Sequence, residues 1–73
     1  MVKPLSELEL NVPATVAFLR GSDKDLKSLK DLGLRTGSQI TVLHRGEGDS
    51  LLVAIGETRI GVNFDLAKNI LVN

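Results

Sequence analysis

The stretch Gln39-Ile-Thr-Val-Leu-His-Arg45-Gly-Glu-Gly-Asp-Ser50-Leu-Leu-Val-Ala-Ile55-Gly-Glu-Thr-Arg59-Ile-Gly-Val62 decides the fold. Ile40 and Val42 alternate with polar neighbours over residues 39–45, and residues 51–55 are an apolar run bounded by turn residues, as a strand requires. The five-residue polar loop Gly46 to Ser50 joins these two strands as a hairpin. Gly56-Glu57-Thr58 then turns the chain into a further strand, Arg59 to Val62. Three antiparallel strands in meander order follow from this segment alone.

Upstream, Ala14, Val16 and Phe18 fall on one face at period two, which predicts a strand from Ala14 to Arg20 ended by Gly21. Ser22-Asp23-Lys24-Asp25 supplies a helix cap with acids in the first turn, and Leu26, Leu29 and Leu32 recur at helical spacing. A helix over residues 23–32 is expected, stopped by Gly33, with Leu34 folding back over its last turn. Residues 5–10 offer at most one helical turn after Pro4, and Asn11-Val12-Pro13 interrupts it. Downstream, residues 64–68 read as one helical turn capped by Asn63 or Asp65, and Ile70-Leu71-Val72 as a last short strand.

Five short strands and one helix do not fill a two-layer sandwich, but they can curl into a small barrel that removes most sheet edges. The expected fold is therefore mainly β: a five-stranded SH3-like barrel with the helix inserted between its first two strands, and a bend at Gly61. The whole chain, residues 1–73, forms one domain.

Composition excludes several function classes. The 73 residues carry nine basic and nine acidic side chains, a net charge of zero, and have no cysteine, tryptophan or tyrosine. Without cysteine there is no disulfide framework and no thiol nucleophile, and the core rests on burial alone, which suits a reducing compartment. A domain of this size buries only about 60% of its unfolded surface, so its stability should amount to a few kcal/mol. Nucleic-acid binding needs a basic excess and aromatic stacking platforms, and both are missing. Proline-rich peptides bind SH3 grooves lined by Tyr and Trp, and these too are missing. No apolar run spans a bilayer and no secretory signal opens the chain, so a cytoplasmic protein with no membrane insertion is expected.

Catalysis lacks its groups. His44 is the sole histidine, and no nucleophile elbow accompanies any serine. Gly46-Glu47-Gly48 places an acid where a phosphate would sit, so it reads as a turn. The protein is not expected to be an enzyme. His44, Glu47 and Asp49 lie close in sequence and supply one nitrogen and two carboxylates, a ligand set suited to weak binding of ferrous iron or zinc, although a solvated polar loop with two acids is the better account of them. No other cofactor is implied.

Partner binding remains. With Ile40 and Val42 pointing inward, Leu43 breaks the alternation, and with Val53 and Ile55 inward, Leu52 points out on the adjoining strand. Either the helix covers these leucines and builds a second small core with Leu26, Leu29 and Leu32, or they form an exposed apolar patch flanked by Arg45 and Arg59. Such a patch would serve a partner protein or a weak homo-oligomer; otherwise the chain is a monomer.

The segments Leu5-Ser-Glu-Leu8, Leu32-Gly33-Leu34-Arg-Thr-Gly37 followed by Ile40-Thr-Val42, and Ala67-Lys-Asn-Ile70-Leu-Val72 resemble the FeoA family, ferrous iron transport protein A, over nearly the whole chain. The resemblance implies an SH3-like barrel and a non-enzymatic cytosolic accessory of bacterial ferrous iron uptake that contacts the membrane permease FeoB. The same barrel occurs as the carboxy-terminal domain of iron-dependent repressors, so a metal-sensing regulatory domain is the alternative. A start at Met1 and an end just after the last strand favour a free-standing protein. Asn11 stands where the family usually has glycine, and Asn tolerates left-handed backbone. Asn63 stands where the family often has arginine, which leaves any role of that charge without its residue here.

Overall fold

The computed structural model describes residues 1–48 and 50–73. Among these residues, six strands, two helices and one 3-10 turn follow in the order β1 (Lys3–Pro4), a 3-10 turn (Leu5–Glu7), β2 (Ala14–Leu19), α1 (Asp23–Asp31), β3 (Gln39–Arg45), β4 (Ser50–Ile55), β5 (Thr58–Asn63), α2 (Phe64–Ala67) and β6 (Ile70–Val72). The strands form one antiparallel sheet in the order β1-β6-β2-β3-β4-β5. The expected mainly β, SH3-like architecture and its β3-β4-β5 meander are present. One strand more than expected is also present, because Lys3 and Pro4 pair with Val72 and Leu71. A two-residue strand containing proline has no pattern long enough to read.

Helix α1 ends as its sequence dictates. Ser22 Oγ accepts from the Asp25 amide at 3.1 Å while Asp25 Oδ2 accepts from the Ser22 amide at 3.2 Å, a reciprocal capping box. At the other end Gly33 takes φ +92, and the amides of Gly33 and Leu34 donate to the carbonyls of Lys30 and Leu29 at 2.9 and 3.1 Å. This is the Schellman arrangement, with the buried pair Leu29 and Leu34 as its apolar clasp. The helix runs one residue shorter than the expected 23–32, since Leu32 is its cap.

Leu29 is fully buried in a single core cluster with Leu5, Val16, Ile40, Val42, Val53, Val62 and Ile70. The helix thus adds Leu29 to the barrel's own core, with Leu32 packed against it, and the second small core considered from the sequence is not formed. No polar or charged residue is buried among the described residues.

Two β-bulges shape the sheet. On β2 the pairing with β6 shifts between Val16 and Phe18, and on β3 the pairing with β4 shifts between Val42 and His44. Each bulge adds one residue to a strand and reverses the faces beyond it. Phe18, expected inward with Ala14 and Val16, is therefore 47% exposed, and Leu19 packs against the core in its place. The bend expected at Gly61 is absent from the ladder: β5 pairs with β4 residue for residue from Thr58 to Asn63, Gly61 opposite Leu52. The barrel's irregular points lie at Ala17 and Leu43 instead.

Candidate functional site

The bulge at Leu43 builds the outer face of the β3-β4-β5 sheet. Val42 pairs with Val53 and His44 with Leu52, so Leu43 and His44 together oppose the single residue Leu52. Strict alternation would have turned His44 to Val42's side, into the core; the extra residue turns it to solvent. Leu43 is half-buried and outside the core cluster, whereas Leu52 is 39% exposed. Leu52 and Ala54 alternate with the buried Leu51 and Val53, and across the ladder they face Gly61 and Arg59. The outer face thus gathers Leu43, His44, Leu52, Ala54, Arg59 and Gly61 into an apolar strip with one imidazole and one guanidinium at its margins.

Three of the four residues expected at a partner surface belong to this face. Arg45 does not. Its Nη2 donates to the carbonyls of Ser6 and Leu8 at 3.1 and 2.6 Å, which ties the amino-terminal segment to the end of β3. Beyond the bulge Arg45 is registered with Leu51 of the core side, and this places its guanidinium against that segment. Asn11 adds a second tie: in the left-handed region at φ +64, its amide donates to the Val42 carbonyl at 2.7 Å. Asn63 likewise has a structural task, since its Oδ1 accepts from the Leu66 amide at 2.9 Å and caps α2.

Among the described residues no three His, Cys, Asp or Glu side chains come together. His44 and Glu47 are exposed, and Asp49 lies outside the described residues. His44 and Glu47 by themselves do not compose a metal site.

An open groove of about 580 Å³ lies elsewhere, between β2 and α1. Phe18, Leu19, Leu26 and Leu34 supply its apolar walls, with Lys30 and Arg35 beside them. Sequence reading misses this groove because it assigns Phe18 to the core; the bulge at Ala17 carries no signature in the residues around it. Among the described residues no helix is long and apolar enough to cross a membrane.

The FeoA domain model matches residues 3–73. The chain belongs to the FeoA family. A solved iron uptake regulatory protein, FeoA, is similar over 100% of this chain and 97% of its own, with 27% identity and a TM-score of 0.91. The FeoA of Stenotrophomonas maltophilia, a prokaryotic SH3 domain protein solved with zinc, shares 31% identity over 96% of this chain and 88% of its own, at a TM-score of 0.81. A manganese-dependent transcriptional repressor shares the fold at a TM-score of 0.90 and 23% identity, the match covering 97% of this chain and 40% of the repressor. No curated protein matches the chain. Family membership bears out the likeness of Leu32 to Gly37 and Ala67 to Val72 to FeoA, and the barrel that the likeness implies is the one formed.

Proposed function

We propose that this FeoA-family protein is a non-catalytic cytosolic accessory of bacterial ferrous iron uptake, and that it acts by docking its outer sheet face onto the cytosolic part of the FeoB permease. The observation that carries this reading is Leu52. A large aliphatic side chain 39% exposed in mid-sheet, beside half-buried Leu43 and the bare backbone of Gly61, leaves apolar surface that the fold does not use for itself. Family membership supports the iron-uptake context, and the Stenotrophomonas maltophilia relative has been advanced as a ferrous iron transport activating factor.

Docking of this kind changes a transporter only if one of its conformations is bound better than another. Arg59 sits at the margin of the apolar strip, where a charge sets orientation and encounter rate more than affinity. We assign Arg45 to the fold instead, because its Nη2 donates to the Ser6 and Leu8 carbonyls within the chain.

Titration of the protein against the permease's isolated soluble domain tests the reading. Binding should saturate, and Leu52→Asp should weaken it at least tenfold while leaving the fold intact, because Leu52 is not a core residue. Unchanged binding by folded Leu52→Asp and Leu43→Asp would remove this face from the argument.

A further inference from the structure

Among the described residues the sheet has two unpaired edges, and they differ in kind. One is β1, two residues long and containing Pro4, which is too short and too poor in donors to pair with another strand. The other is β5, six residues from Thr58 to Asn63 with one charge and no proline. Its hairpin to β4 turns through Gly56 and Glu57, with Ile55 opposite Thr58, and Gly56 at φ +61 gives the turn the sense of a two-residue II′ hairpin. In such a hairpin the closing pair exchanges both hydrogen bonds and alternate pairs follow suit. Ile60 and Val62 therefore bond inward to β4, while the amides and carbonyls of Arg59 and Gly61 point away from it. Among the described residues these groups have no other backbone or side-chain partner.

We infer that β5 pairs with β5 of a second copy of this chain, antiparallel and centred on Ile60. Antiparallel partners share a sheet face, so only registers that match parity are open. Centred on Arg59, the pairing would set two guanidiniums opposite each other. Centred on Gly61, it would join two positions that have no side chain and bring the start of α2 against the partner strand. Centred on Ile60, each Arg59 lies opposite the other copy's Gly61, where a built Cβ meets nothing within 4 Å and the aliphatic stem of an arginine has room beside the exposed Leu52. Arg59 and Gly61 both turn their backbone groups to the edge, so this register pairs those groups on both strands at once. The copies do not repel at long range, since the net charge is zero.

Pairing at an edge extends the sheet in its own plane, so the two outer faces would continue into one another on the same side. The inference does not depend on docking to a permease, and it is read out without one. The interface is one strand wide, so the dimer is weak and concentration-dependent.

Sedimentation velocity from dilute to near-millimolar protein, run on the wild type, Gly61→Glu and Gly61→Lys, tests it. Both substitutions enter open space at a backbone conformation that side chains adopt, and circular dichroism should show both folded. The carboxylate introduced by Gly61→Glu would face the other copy's arginine twice per dimer and tighten association roughly severalfold, whereas the ammonium introduced by Gly61→Lys would loosen it by a similar factor. Hydrogen exchange at the Arg59 and Gly61 amides should slow as wild-type concentration rises. A wild type that stays monomeric throughout overturns the inference, as do equal effects of the two substitutions or a dimer that leaves those amides unprotected. Protection that arises only on adding a different protein overturns it in favour of a heterologous strand.

Discussion

Arg45 Nη2 and the Leu8 carbonyl lie 2.6 Å apart, 37 residues distant in sequence, and join the end of β3 to the segment that carries Leu5 and Leu8 into the core. The same guanidinium reaches the Ser6 carbonyl at 3.1 Å. An arginine one residue beyond an apolar outer strip thus ties the amino-terminal segment to the sheet.

Replacing Arg45 should accordingly behave as a stability mutation. Arg45→Ala removes two charge-assisted bonds to carbonyls that remain close to solvent, so a loss of about 1–2 kcal/mol is expected. Chemical denaturation measures it, and hydrogen exchange should quicken through residues 8–11 while the β4-β5 hairpin is unaffected. Permease binding by the folded fraction should be unchanged. A variant of wild-type stability that fails to bind would return Arg45 to the docking surface.

Glycines 33 and 61 both have open space where a Cβ would go, yet they should respond oppositely to alanine. Gly33 sits at φ +92 in the helix stop, where a side chain is strained, and Gly33→Ala should cost about 1 kcal/mol. Gly61 lies in a regular ladder without positive φ, so Gly61→Ala should be neutral or stabilise the strand by a few tenths of a kcal/mol. Paired thermal melts decide the matter. A large loss at Gly61 would mean that the ladder is not as regular as its register implies.

Leu29 and Leu52 separate fold from surface. Leu29 is fully buried in the core cluster, and Leu29→Ala should cost about 2–5 kcal/mol, enough to unfold much of a domain this small. Leu52→Ala should change stability by about 1 kcal/mol or less, because the residue is already partly hydrated. Denaturant midpoints for the two variants give the comparison; equal costs would place Leu52 in the core and dispose of the docking face.

Much of this architecture is legible in the residues because local signals agree with the global fold. Ser22, Asp25, Gly33 and Leu34 specify both ends of α1, and the first halves of β3 and β4 each bury one face at period two. The two bulges are what the sequence conceals. An extra residue in a ladder depends on which strand lies opposite, and nothing at Ala17 or Leu43 differs from ordinary strand chemistry. The misplaced side chains trace to them: Phe18 turned outward into a groove wall, and Arg45 drawn across the barrel's end. The outward placing of Leu43 and Leu52 is recoverable from the residues, since each adjoins Val42 or Val53, which alternation turns inward.

Divalent metal gives the last test. Specific sites for iron or zinc assemble three or more nitrogen, sulfur or carboxylate donors around the ion, and His44 and Glu47 are the described candidates. Calorimetric titration with ferrous iron under anaerobic conditions, and separately with zinc, should give no saturating heat for the monomer. A saturating heat lost in His44→Ala would make the imidazole a ligand, with the remaining donors to be sought in the Gly46–Ser50 loop or in a second molecule. A saturating heat retained in His44→Ala would place the site away from the outer face altogether. Either result would favour a metal-responsive regulator over a protein that works through apolar contact alone.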